Sequence, residues 1–115
     1  MTVLIVGAGG LAGVLARYGL TVWEQSLWTI VAINIVGSFA LGVMTHVGVH
    51  LSHDVRTGIG VGFLGGFTTF STMTVQTVLE ADGGNPSKAA LYLFVSVAGG
   101  MLAALAGYYA GRAIA

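Results

Sequence analysis

Gly65-Gly66-Phe67-Thr68-Thr69-Phe70-Ser71-Thr72 decides how this chain is read. The stretch lies inside an apolar run, residues 58–79, of the ~20-residue length that carries a helix across a ~30 Å hydrocarbon core. Two glycines followed by four β-branched or hydroxyl residues within the next six make a poor helix. The expectation is a break in the middle of the span. Such a break frees N–H and C=O groups at membrane depth, which is tolerated only where they are buried in protein or line a cavity. Freed carbonyls suit a cation, and freed amides or helix N-termini suit an anion. Phenylalanine rings beside the break offer electropositive edges. A small anion could therefore be held there without any buried positive charge.

The rest of the chain supports a membrane setting. Its 115 residues carry four Lys plus Arg and four Asp plus Glu, so 7% are charged, against nineteen glycines and 56% hydrophobic residues. A soluble domain is about 25% charged, and the mean hydropathy here is +0.91. That excludes a soluble enzyme and a disordered segment. A net charge of zero without a basic run gives no nucleic-acid partner, because neutralising phosphates takes clustered Lys and Arg. With no cysteine, disulfides and thiolate metal sites are excluded as well.

Sparse polar residues divide the chain into four spans, residues 3–20, 27–47, 58–79 and 89–110, joined by short connectors. The reading is one four-helix transmembrane domain over residues 1–115, all-α, with the third helix broken near Gly65–Thr72. Tyr18, Trp23 and Trp28 flank the first connector, and Tyr108 and Tyr109 close the last span, as an interfacial aromatic belt would place them. An even number of spans puts Arg56 and Arg112 on one side and Arg17 and Lys88 on the other. Two against two gives the positive-inside rule no bias. One consequence is insertion in both orientations and an antiparallel dimer; the alternative is that four charges are too few to orient anything. Gly9-Gly13, Gly58-Gly62, Gly62-Gly66 and Gly107-Gly111 are small-xxx-small pairs that let helices approach closely in lipid.

Neutral polar residues recur at helical spacing inside the spans. Asn34 and Ser38 lie four apart in the second, Thr68, Thr72 and Gln76 in the third if that helix continues, and Tyr92, Ser96 and Gly100 in the fourth. A Ser or Thr can bond back to its own helix, but the Asn34 carboxamide in hydrocarbon must find partners. Three such stripes point to a hydrogen-bonding path for something small. No Asp, Glu or His falls in the central part of a span, so no catalytic group is assembled and a proton-coupled antiporter lacks its proton carrier.

Two motifs point elsewhere. Gly7-Ala8-Gly9-Gly10-Leu11-Ala12 after a strand-like run imitates a dinucleotide-binding turn, but no βαβ unit follows. His46, His50 and His53, with Asp54, would share a face of a continuous helix and could hold a metal there.

Gly65-Gly66-Phe67-Thr68-Thr69-Phe70-Ser71-Thr72 resembles the hallmark of the Fluc (CrcB-type) family of small fluoride channels. Asn34-Ile35-Val36-Gly37-Ser38-Phe39 is similar to that family's second-helix motif, and Gly9-Gly10 through Gly13 to Arg17-Tyr18 to its first. The resemblance covers essentially the whole chain. It implies a dual-topology dimer, homodimeric or formed with a paralogue, with two fluoride pores at the subunit interface and a structural Na⁺ at its centre. It would place the Gly65 and Thr68 carbonyls on sodium and Phe70 as a pore ring whose edge meets fluoride. Asn34, Thr72, Tyr92 and Ser96 would line the polar track, with Arg17 near the vestibule. The implied activity is passive export of fluoride across the cell membrane.

Two positions depart from the family pattern. Met73 stands where it usually has a second pore phenylalanine, and Gln76 where it usually has a glutamate. Met73 is polarizable and fills similar space, but lacks an aromatic edge; a paralogous partner could supply the intact pore. Two other readings fit the length and span count: a small multidrug-type antiporter and a non-conducting partner subunit of a membrane assembly.

Overall fold

The computed structural model describes residues 1–115. Five helical segments make four passes: α1 (Thr2–Trp23), α2 (Leu27–Val47), the two halves of the third pass, and a long last helix. The third pass opens with α3, residues 53–67, and resumes as α4 (Phe70–Asp82); α5 (Pro86–Ile114) is the fourth. There are no strands. Three of the helices are long and apolar enough to cross a bilayer on their own: α1, α2 with its short extension to His50, and α5. The chain is a multi-pass α-helical membrane protein.

Helix ends fall outside the expected spans for identifiable reasons. The connector expected at 50–57 is largely helical, because the Ser52 hydroxyl accepts from the Val55 amide and starts α3 at His53. Thr2 donates its hydroxyl hydrogen to Asp54 Oδ1 and ties the start of α1 to that turn. The connector expected at 80–88 shrinks to residues 83–85. Pro86 sits in the first turn of α5, where its missing N–H costs nothing, and Gly84 turns the chain at φ +95°, a conformation glycine adopts freely. Ser26 caps α2 by accepting from the Trp28 amide.

Two parallel helix pairs form the body. In the first, α1 runs alongside α3, glycine against glycine. A Cβ on Gly62 would lie 2.8 Å from the Val6 carbonyl oxygen, and one on Gly66 2.6 Å from that of Gly10. In the second, α2 runs alongside α5, where a Cβ on Gly111 would meet the Val43 carbonyl at 2.5 Å. All four small-xxx-small pairs thus lie in helix–helix seams. Lipid is as apolar as leucine, so close van der Waals packing of this kind does the holding that water would otherwise drive. A small apolar core of Ile30, Val31, Ile33, Met73 and Tyr92 joins α2, α4 and α5.

Within α3, Gly58–Leu64 winds as a π-helix, an irregularity that tends to accompany functional sites. Gly65–Phe67 adds one α-turn before the helix stops. Thr68 (φ −87°, ψ 156°) and Thr69 (φ −148°, ψ 121°) are extended. The break expected from the sequence is therefore present, two residues wide. Thr68 consequently does not continue the Thr72–Gln76 stripe; its hydroxyl bonds back to the Leu64 carbonyl at 3.1 Å.

The three histidines gather no metal site. His46 packs edge-on against Tyr108, ring centroids 4.5 Å apart, and no three His, Asp or Glu side chains lie close enough to share an ion.

Candidate functional site: a groove at the helix break

The broken backbone is resolved by side chains from two other helices. Asn34 on α2 donates from Nδ2 to the Thr69 carbonyl at 2.9 Å and accepts at Oδ1 from the Thr69 amide at 2.8 Å. Arg17 on α1 donates from Nε to the Gly66 carbonyl at 3.2 Å. The Thr69 hydroxyl caps α4 by accepting from the Thr72 amide at 3.3 Å. Gly37 leaves the room that the Thr68 methyl fills against α2.

These bonds have a consequence for the remaining carbonyls. In a continuous helix the Gly65 carbonyl would accept from the Thr69 amide and the Thr68 carbonyl from the Thr72 amide. Both amides are engaged elsewhere, with Asn34 and with the Thr69 hydroxyl. The two carbonyls are left without their helical donors, and Gly65 lies on the exposed surface. Hard oxygen donors of this kind fit an alkali or alkaline-earth cation rather than a soft metal.

Beside the break lies a groove of about 400 Å³ between α2, α4 and α5, open along one side. Asn34, Ser38, Thr68 and Ser96 line it beside Phe70, Met73, Val97, Met101 and Ala104, so its wall is mostly apolar with a few polar groups, and none of the lining side chains is charged. Asn34 has a second Nδ2–H that Thr69 does not use. Ser96 is 5% exposed, and its hydroxyl has no hydrogen-bond partner. A buried hydroxyl left unpaired costs about 1–3 kcal/mol, and this one lies at the groove wall. Phe70 is 74% exposed, its ring lying free of the chain's own core.

The structure thus gathers seven of the residues singled out from the sequence into one groove: Asn34, Ser38, Thr68, Phe70, Met73, Ser96 and Gly100. It separates others. Tyr92 is fully buried, donating to Gln76 Oε1 at 3.0 Å and meeting Trp28 edge-on at 6.0 Å. Thr72 faces a neighbouring surface with Ser71 and Gln76. Met73 lines the groove, yet at 4% exposure it also belongs to the apolar core. Arg17 reaches the break itself. Phe63 and Phe67 stack on each other at 5.8 Å, leaving Phe70 alone beyond the break. Thr69 is not among the residues expected at the site; a threonine directly before a helix restart is a favoured N-cap, and that preference is the signal that points to it.

The fold and groove define a class: a small helical membrane protein with an uncharged groove beside a broken helix. Residues 4–108 match the family described as CrcB-like protein, Camphor Resistance (CrcB), and the chain belongs to that family. A relative from Thermus thermophilus, named "Fluoride-specific ion channel FluC", is 40% identical over 96% of this chain and 94% of its own length. One of the same name from Pseudomonas putida is 38% identical over 89% and 90%. A Moorella thermoacetica relative named "Fluoride-specific ion channel FluC 2" is 36% identical over 99% of both chains.

Proposed function

We propose that this chain is a subunit of a fluoride-selective ion channel that exports fluoride passively and lowers its cytoplasmic concentration. The observation that carries this reading is the groove at the break. Neutral donors there, the free Asn34 N–H and the Ser96 hydroxyl, share a cavity with the exposed Phe70 ring and with no charge. Whole-length relatives named as fluoride channels support it, and those names describe a channel rather than an enzyme.

Dehydrating a small anion needs replacement donors already in place, since protein dipoles that need not reorganise can substitute for water. Asn34 is held by its two bonds to Thr69, so its second N–H is fixed in direction. The Ser96 side chain is buried at the groove wall, with its hydroxyl free to turn toward the anion. Phe70 would present its ring edge. A larger anion would gain less from the same donors, because its charge is more diffuse. Driving force comes from the membrane potential, about 2.3 kcal/mol per charge per 100 mV. Neither ATP nor a coupled ion is required.

One protomer leaves the groove open along one side and Phe70 exposed, which supports completion of the pore by a second subunit. An antiparallel dimer fits the charge balance, with Arg56 and Arg112 toward one end and Arg17 and Lys88 toward the other. The second subunit is another copy or a paralogue; the latter would supply a phenylalanine where this chain has Met73. The Gly65 and Thr68 carbonyls would hold sodium between the subunits, where the ion supplies a fixed positive charge.

Growth of cells lacking their own fluoride exporter tests the reading. Expression of this chain, alone or with a co-encoded paralogue, restores growth in fluoride, and the Phe70→Ile variant does not. No protection under either condition contradicts it.

A further inference from the structure

An α-helix begins with four amides that have no acceptor inside it. At the start of α4 these belong to Thr69, Phe70, Ser71 and Thr72. Two are satisfied: the Thr69 amide donates to Asn34 Oδ1 at 2.8 Å, and the Thr72 amide donates to the Thr69 hydroxyl at 3.3 Å. Phe70 and Ser71 keep theirs free. In a continuous helix they would donate to the Gly66 and Phe67 carbonyls, which the extended Thr68 and Thr69 carry out of reach. Neither amide has another acceptor in the chain. At membrane depth a free amide is costly unless something in a cavity accepts from it.

We propose that the open end of α4 binds the anion through its backbone, with the Phe70 and Ser71 amides as ligands alongside the Ser96 hydroxyl. The inference deepens the fluoride-pore reading of the groove and rests on it. First-turn amides point out of a helix along its axis and carry its positive end. Here that direction is the break, and Thr68, Thr69 and Phe70 at the break line the groove. Ser96 is an independent sign of a missing acceptor or donor: it is 5% exposed, its hydroxyl is unpartnered, and it lies in the wall of the same groove. The facing end of α3 does not cancel the positive end of α4. Its Gly66 carbonyl is engaged by Arg17 Nε at 3.2 Å, and Gly65 borders a different cavity, between α2 and α3. Backbone donors do not depend on the side chain at 73, so they serve equally where this chain carries Met73.

The test exchanges the Ser71 N–H for an ester oxygen, by building the α-hydroxy analogue of serine into the full chain, so that the side chain stays. Initial fluoride efflux from proteoliposomes is read beside the melting temperature in fluoride-free detergent. Ser87 is the matched control: it too is the second residue of its helix, and Asn85 before it makes no side-chain cap. The exchange at Ser71 slows efflux about tenfold or more, as loss of a preorganised donor to a desolvated anion does. It lowers the melting temperature no more than the exchange at Ser87, which leaves efflux unchanged. Unchanged efflux at Ser71, or an equal loss at Ser87, would overturn the proposal. So would a melting temperature that falls further at Ser71 than at Ser87, because it would give that amide to a protein acceptor. A wild type that is silent, alone and with its paralogue, overturns the pore reading and this inference together.

Discussion

The side chain of Asn34 replaces, for Thr69, the helix that Thr69 has left. Its carboxamide pairs with both backbone groups of that one residue, at 2.9 and 2.8 Å. A break at membrane depth is tolerated only if such groups find partners, and asparagine carries a donor and an acceptor in the spacing of a peptide. The same bonds deny the Gly65 carbonyl its helical donor and aim the second N–H of Asn34. One residue therefore both holds the break and lines the groove.

Asn34→Ala strands the Thr69 amide and carbonyl at about 1–3 kcal/mol each. The variant melts at a lower temperature in detergent, and its fluoride efflux falls at least tenfold. Asn34→Asp keeps the acceptor, loses the donor and adds a charge; it stops efflux while recovering less than half of the lost stability. Melting curves paired with efflux rates check both.

Phe70 and Met73 separate pore chemistry from packing. Phe70 is 74% exposed on the single chain, so Phe70→Ile changes that chain's stability by no more than about 0.5 kcal/mol and abolishes efflux. Met73 is 4% exposed among Ile30, Val31 and Tyr92. Met73→Ala costs about 2–5 kcal/mol, whereas Met73→Leu, close in volume, costs less than about 1.5 kcal/mol. Chemical denaturation of the reconstituted protein, beside flux, distinguishes the two positions.

Ser96→Ala makes an opposite pairing of effects. The hydroxyl has no protein partner, so its removal leaves stability unchanged or raises it. If it serves the anion, efflux falls several-fold nonetheless. A loss of stability equal to the loss of flux would assign Ser96 to structure instead.

Replacing sodium with a large organic cation throughout purification and assay lowers both the melting temperature and the efflux rate. At a sodium concentration about 100 times its dissociation constant, the lost stabilisation is about 2.7 kcal/mol. Re-adding sodium restores both, and a melting temperature indifferent to sodium would remove the ion from the Gly65 and Thr68 carbonyls.

Much of this is legible in the residues alone. Four spans follow from apolar run length, and the break follows from Gly65-Gly66 beside Thr68, Thr69, Ser71 and Thr72. The need of Asn34 for partners is visible there, but its partner is not. Residue 69 is distant in sequence, and only the parallel packing of α2 with α5 and of α1 with α3 brings the break against it. Helical spacing places Thr68, Thr72 and Gln76 on one stripe, and the break itself defeats that inference. Tyr92 and Gln76 read as pore polars because spacing cannot distinguish a side chain facing a groove from one bonded across two helices. Arg17 looks like a helix-end charge; its Nε reaches the Gly66 carbonyl because α1 packs parallel to α3 along glycine.

The most direct test is fluoride efflux from liposomes loaded with potassium fluoride, followed with a fluoride electrode after valinomycin releases the counter-charge. Rapid efflux is expected from liposomes holding this chain, alone or with its paralogue, and none of comparable rate when chloride replaces fluoride. Fluoride retained in both preparations, or chloride released as fast as fluoride, would contradict a fluoride-selective pore.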